Sequence, residues 1–215
     1  MRADLSRFYE HEANNRLRGR PSGWRVEWLD EFAASVAAEG CRNVLDIGAG
    51  PATDASAFLL AGIEYTGVDL AVANGVLARE AAATVVAASL FDLPFPDASF
   101  DAGWSMSTMM HVPTAEVDVA MQSICRVLRP GAPLMIGQWG GSLGDIDSDH
   151  TVPGLPRLFS LRSADQNREL LEPYGTIEHW ERRDAGPDGW EYHAAVLRIA
   201  LTAPRHGPAT WSRSV

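Results

Sequence analysis

The chain predicts an α/β fold, a doubly wound sheet of seven strands that is mostly parallel and carries an antiparallel strand from a C-terminal hairpin. Three observations carry this. Short apolar runs of strand character alternate with segments of helical periodicity, a pattern that implies right-handed crossovers and a parallel sheet covered on both faces. The first of these runs, in "VLDIGAGPATD" at 44–54, stops at a glycine turn that leads straight into a helical pattern. The last two, "TIEHWERR" and "WEYHAAVLRIAL", are separated only by "DAGPDG", long enough for a hairpin and too short for a crossover.

Taken in order, the stretch to about residue 22 is polar and compatible with a helix, and Pro21 and Gly23 then break it. "WRVEWLDEFAASVAAEG" follows, with Trp24, Trp28, Phe32 and Val36 on one helical face and Gly40 as its C-terminal cap. Strand one is 44–47 and the helix after it covers 52–61. "EYTGVDL" is the second strand, ending at Asp69, and "VANGVLAREAAA" is a weaker helix interrupted by Gly75. "TVVAASL" is the third strand, and "SFDAGWSMSTMM" contains the fourth. The helix in "AEVDVAMQSICRVLRPG" sets Val117, Met121, Ile124 and Leu128 on one face, with Pro130-Gly131 beyond its end. "APLMIGQWG" is the fifth strand, and a helix in "SADQNRELLEPYG" precedes the hairpin. A single domain is expected over 1–202, with 1–40 as an N-terminal helical segment and 203–215 as a tail. Residues 140–162, long for a loop and rich in glycine and proline, are expected to act as a lid or substrate loop.

Composition narrows the function classes. With 46% hydrophobic and 21% charged residues, the chain can bury one substantial core. A net charge of −10 argues against a nucleic-acid backbone as partner, which needs a basic surface. No apolar run approaches the roughly 18 residues of a bilayer span, and the N-terminus has no apolar signal core, so a cytoplasmic protein without a membrane partner is expected. Cys41 and Cys125 show no metal or redox spacing. Oligomeric state cannot be read from the chain.

The glycine turn at Gly48, Ala49 and Gly50 points backbone N–H groups at one spot, which suits an anionic or hydrogen-bond-accepting ligand. A dinucleotide site uses a similar device, but its third glycine falls at Thr53. About twenty residues on, Asp69 ends the second strand, where a carboxylate can accept both hydroxyls of a ribose. With these features, "DLPFPDASFDAGWSMSTMMHVP" and "ICRVLRPGAPLMIGQW" resemble the class I S-adenosylmethionine-dependent methyltransferases, in particular their small-molecule branch called methyltransferase type 11. The resemblance covers roughly residues 42 to 140 and implies a Rossmann-like fold with a reversed last strand.

That resemblance implies S-adenosyl-L-methionine as cofactor and a small molecule as acceptor. Asp46, Gly48, Ala49 and Gly50 would hold the methionine end of the cofactor, Asp69 its ribose, and Leu70 the adenine pocket. Ser89 replaces the family's usual acid after the third strand, Leu90 would offer its backbone N–H to the ring, and Ser105 would face the methionine portion. The implied reaction is an in-line displacement at a sulfonium methyl group, which depends on alignment and exclusion of water.

Several residues keep two readings. His111 is either a base or positioning residue beside the methyl group, or a packed loop histidine. Trp104, Trp139, Met106, Met109 and Met110 are either an adaptable substrate wall or core, and of these Trp104 reads as core. "GDIDSDH" mimics a calcium loop, but His150 and Pro156 stand where its glycine and glutamate belong; a solvated acidic loop is expected and no metal site. The arginines of "RLRGR" either clamp a carboxylate or line a solvated helix face. The competing functions are a nicotinamide-dependent oxidoreductase and a non-catalytic nucleoside-binding protein of the same fold.

Overall fold

The structure, a computed structural model, describes residues 5–12, 23–80, 83–148, 154–184 and 189–201. The arginines of "RLRGR", Asp149, His150 and the tail at 203–215 lie outside them. Helix α1 covers residues 5–12, α2 Gly23–Ala38, α3 Ala55–Leu60, α4 Val72–Glu80, α5 Val117–Val127 and α6 Ala164–Leu171. The strands are β1 (Asn43–Ile47), β2 (Glu64–Asp69), β3 (Thr84–Ala87), β4 (Ala102–Met106), β5 (Pro133–Gly140), β6 (Gly144–Ser148), β7 (Arg157–Leu161), β8 (Gly175–Asp184) and β9 (Glu191–Ile199).

Seven strands form one sheet in the order β3-β2-β1-β4-β5-β9-β8. The first five are parallel, and β9 inserts antiparallel between β5 and β8. Only β9 is reversed, because the hairpin enters along the outer edge and returns inward. Burial agrees: β9 is buried along most of its length, while the edge strand β8 alternates and exposes Glu178, His179, Arg182 and Asp184, charges that keep an open edge from pairing with another chain.

Two apolar layers flank the sheet. Met121, Ile124 and Val127 of α5 pack with Leu45, Ile47 and Leu134 on one side. Trp28, Phe32 and Val36 of α2 pack with Phe58, Tyr65 and Trp104 on the other. Trp104 is fully buried and donates its indole N–H to Asp54 Oδ2 at 2.9 Å, as a core tryptophan must. Among the described residues no helix is long and apolar enough to cross a membrane.

Two segments differ from their sequence expectation. The helix expected from 52 starts at Ala55, because the chain spends 51–54 in turns, with Ala52 at a positive φ of 60°. The segment expected as a loop at 140–162 pairs Gly144–Ser148 with Arg157–Leu161 in a second, two-stranded antiparallel sheet. Acids at alternate positions of β6 mask its strand pattern, since Ile146 is its one large apolar residue and faces Phe159.

Candidate active site

A cleft with about 920 Å³ of open space lies at the carboxyl ends of β1, β2 and β4, where the strand order reverses between β1 and β4. Open α/β sheets bind ligands at this place, because the loops after adjacent strands diverge there. One wall is made by Gly48, Asp69, Leu70, Ser89 and Leu90, the other by Met106, Ser107, Thr108, His111 and Leu158, and Leu5 and Tyr9 of α1 face the same space.

The first wall is organised by Asp69. Its Oδ2 accepts from Gly50 N–H at 2.8 Å, and its Oδ1 from Ala71 N–H at 2.8 Å and Asn74 Nδ2 at 3.0 Å. This carboxylate therefore ties the turn after β1 to the turn after β2, and Oδ2 keeps a lone pair for a hydroxyl donor. Gly48 and Gly50 take φ of +77° and +55°, conformations that other L residues adopt at a cost. Their surroundings differ: a Cβ on Gly48 would sit 2.8 Å from Thr108 Cβ and closer to its Oγ1, whereas a Cβ on Gly50 would meet nothing within 4 Å. Close approach at Gly48 is thus to the chain itself, and the space beside Gly50 is open. Ser89 Oγ accepts from Phe91 N–H at 3.3 Å and retains its own proton, so it can donate to a purine edge between the apolar Leu70 and Leu90.

Asp46, Ala49, Gly50 and Ser105 do not line the cleft. Asp46 is 3% exposed and accepts from Tyr65 Oη at 2.6 Å; burial, with Asp54 nearby, pushes its carboxyl up to about 8. Ser105 is buried and donates to Ile47 O at 3.1 Å, bracing β4 against β1. Met109 and Met110 are buried in two different apolar clusters. Trp139 packs against Trp190 and Tyr192, with ring centroids 5.9 and 5.3 Å away. None of these three side chains reaches the cleft.

The second wall is built from distant segments. His111 ends the 3-10 turn Met109–His111 after β4, and its ring lies between Tyr9 and Phe159. Its Nδ1 is 2.6 Å from Leu158 O and its Nε2 2.5 Å from Tyr9 Oη. A carbonyl oxygen only accepts, so Nδ1 carries the proton and Nε2 accepts from the tyrosine. Arg162, 2% exposed, holds the turn from behind by donating to Met109 O at 2.9 Å, Val112 O at 3.1 Å, Gln138 Oε1 at 3.2 Å and Asn167 Oδ1 at 2.9 Å. Burial lowers this guanidinium to about 10. Asp145 of β6 accepts from Thr114 N–H at 3.0 Å, Thr114 Oγ1 at 2.8 Å and Ser160 Oγ at 2.7 Å, and these bonds hold its carboxyl below the usual range.

Helix α1 crosses the cleft between the two walls. Glu10 accepts from Val72 N–H at 2.6 Å and Ala73 N–H at 3.0 Å, filling the amides that open α4. On the opposite rim Tyr9 meets His111, and Phe8 and Phe159 both stack against the Arg157 guanidinium, at 4.4 and 4.5 Å. Sequence reasoning missed Tyr9, Ser107, Thr108, Leu158 and Arg162. The one signal was an aromatic pair, Phe8-Tyr9, inside an otherwise charged helix.

A doubly wound sheet of this order, with an open glycine turn and a carboxylate at the ends of its first two strands, defines a nucleoside-cofactor enzyme. The residues present fit S-adenosylmethionine: a bare backbone at Gly48, an acceptor at Asp69, and an apolar slot edged by Ser89. A family model described as the methyltransferase domain matches residues 45–136. An uncharacterized methyltransferase of Mycobacterium sp. (strain JLS) is 30% identical over 99% of this chain and 82% of its own length. An O-methyltransferase of Penicillium expansum is 34% identical over 62% of this chain and 51% of its length. Among solved structures, the 1,6-didemethyltoxoflavin-N1-methyltransferase of Burkholderia thailandensis, bound to 1,6-didemethyltoxoflavin and S-adenosylhomocysteine, superposes with a TM-score of 0.69 at 22% identity, over 92% of this chain and 88% of that one. The chain belongs to the methyltransferase family and is an S-adenosylmethionine-dependent enzyme; the nicotinamide alternative is not favoured.

Proposed function

We propose that one cavity holds both reactants: S-adenosylmethionine on the wall of Gly48, Asp69, Leu70, Ser89 and Leu90, and a small-molecule acceptor on the wall of His111. The observation that carries this is that Asp69 and His111 line one continuous cleft, which α1 crosses. When bound, S-adenosylmethionine supplies an electrophilic methyl group whose leaving thioether needs no proton. Asp69 accepts a ribose hydroxyl, Ser89 meets the adenine edge, and the methionine portion lies over Gly48; the N–H groups of the glycine turn are already spent on Val68 O, from Gly48 and Ala49, and on Asp69, from Gly50. Ser107, held at φ +56° with its hydroxyl 3.1 Å from Tyr192 Oη, sits where β4 ends between the two reactants. Helix α1 and the β6–β7 hairpin exclude water, the second requirement of such a transfer. The acidic balance of −10 favours a small molecule over a nucleic acid.

Calorimetric titration with S-adenosylmethionine, S-adenosylhomocysteine and NAD tests the cofactor half, and labelled methyl transfer across a small-molecule library tests the acceptor half. Binding of NAD without either sulfur nucleoside would overturn the assignment of this wall. Tight binding of both sulfur nucleosides with no transfer to any compound would instead leave a binding protein.

A further inference from the structure

The imidazole of His111 has no ring nitrogen turned to an acceptor. Nδ1 is committed to Leu158 O and Nε2 to the Tyr9 hydroxyl, at 2.6 and 2.5 Å. An acceptor entering the cleft therefore meets Tyr9 first, because Tyr9 lines the cavity and stands in front of Nε2. Tyr9 can afford this place only because α1 is anchored on both rims, through Glu10 to α4 and through Phe8 and Arg157 to the hairpin.

We propose that Tyr9 is the catalytic residue that takes the acceptor's proton, with His111 behind it as the proton sink, and that the acceptor is a phenol-like or enolic hydroxyl. This rests on the reading of the cleft given above. The acceptor oxygen forms its bond to the methyl carbon, and the carbon–sulfur pair leaves with the sulfur. The acceptor's proton passes to Tyr9 Oη while the proton already on Oη passes to His111 Nε2. The resulting imidazolium keeps its Nδ1–H bond to Leu158 O and releases the Nε2 proton to solvent as product leaves. Transfer between two phenols is close to level in energy, whereas an aliphatic alcohol would pass its proton uphill. Charge points the same way: among the described residues that line the cleft, Asp69 and Glu116 are the charged ones, so an anionic acceptor would meet carboxylates and no cation. Among the described residues, the charged groups around the dyad include Glu116 on the cleft wall, Arg157 beside Phe159, Arg162 behind Met109 and Val112, and Asp145 on Ser160. On α1, Glu10 turns to α4 and His11 pairs with Glu12.

The test uses the full chain and Tyr9→Phe. Without cofactor, nitrogen-detected NMR should show wild-type His111 protonated on Nδ1, and its titration midpoint should move upward in Tyr9→Phe, because the phenol no longer donates to Nε2. With S-adenosylmethionine, catechol and 4-nitrocatechol should be methylated and primary alcohols and amines should not. Tyr9→Phe should lose roughly 10²–10⁴ in kcat on catechol and much less on the more acidic 4-nitrocatechol, with S-adenosylmethionine affinity within about twofold. An unmoved His111 midpoint, equal losses on the two catechols, or transfer to amines or alcohols but to neither catechol would overturn the proposal. Loss of S-adenosylmethionine binding by the wild-type chain would instead remove the reading beneath it.

Discussion

The two walls of the cleft are assembled by opposite means. Asp69 finds its donors 19, 2 and 5 residues away, at Gly50, Ala71 and Asn74. His111 finds its partners 102 and 47 residues away, at Tyr9 and Leu158, and Arg162 reaches back 53 residues to Met109. A site made of neighbouring turns forms when its own strands pair. A site made of distant segments exists only when α1, the 3-10 turn and the second sheet are all docked, and each docking adds a loop-closure cost. The first arrangement suits a cofactor wall common to many acceptors, and the second lets the acceptor wall vary without disturbing it.

Removing Arg162 should break the acceptor wall most severely. Arg162→Met removes four buried hydrogen bonds, leaving Met109 O with Val112 N–H and Val112 O with Ser160 Oγ but depriving Gln138 Oε1 and Asn167 Oδ1 of this donor, and urea unfolding should show a loss of about 3–5 kcal/mol. A loss under about 1 kcal/mol would show that the second sheet is only loosely coupled to the core.

The cofactor wall can be divided at its two glycines. Gly48→Ala should lose about 2–4 kcal/mol, combining the positive φ with the collision against Thr108, and Thr108→Gly in the same chain should recover the steric part. Gly50→Ala should lose only the conformational part, about 1–2 kcal/mol, since its Cβ meets nothing. Equal thermal shifts for the two would contradict the packing of Thr108 on the turn.

Asp69→Ala should weaken S-adenosylmethionine by one to two powers of ten, about 1.5–3 kcal/mol by calorimetry. Because Asp69 also holds Gly50 and Ala71, this variant should melt lower as well. Unchanged affinity would move the ribose away from this carboxylate.

The effect at Asp46 depends on pH. Its folded pKa, raised to about 8, lies above the unfolded value of about 3.9, so the folded state binds the extra proton between them and stability falls as pH rises through that window. Asp46→Asn, which keeps an acceptor for Tyr65, should match the wild type near pH 4, become the more stable protein as pH rises, and hold a constant lead above pH 8. Parallel pH profiles of the unfolding midpoint would show that Asp46 is ionised in the folded protein.

What could be read in advance follows the same division. Periodicity and turn chemistry act over a few residues, and they carried the parallel strands, the reversed hairpin strand, the glycine turn and the carboxylate at Asp69. They also placed Trp104 in the core. The second sheet was not legible, because β6 has too little apolar alternation to stand out from a loop. Met109, Met110 and Trp139 carry the chemistry of a substrate wall, but their direction is set by which side of a strand end or turn each leaves from, and all three turn away from the cleft.

By itself, then, the chain determined the succession of its strands and helices, and the glycine turn and carboxylate that follow its first two strands, since both depend on residues close in sequence. Only the tertiary structure decided the wall of His111. Nothing local marks Tyr9, Leu158 or Arg162 as belonging to His111; their bonds form because α1 and the β6–β7 hairpin bury apolar surface across the cleft and bring four segments to hydrogen-bonding distance.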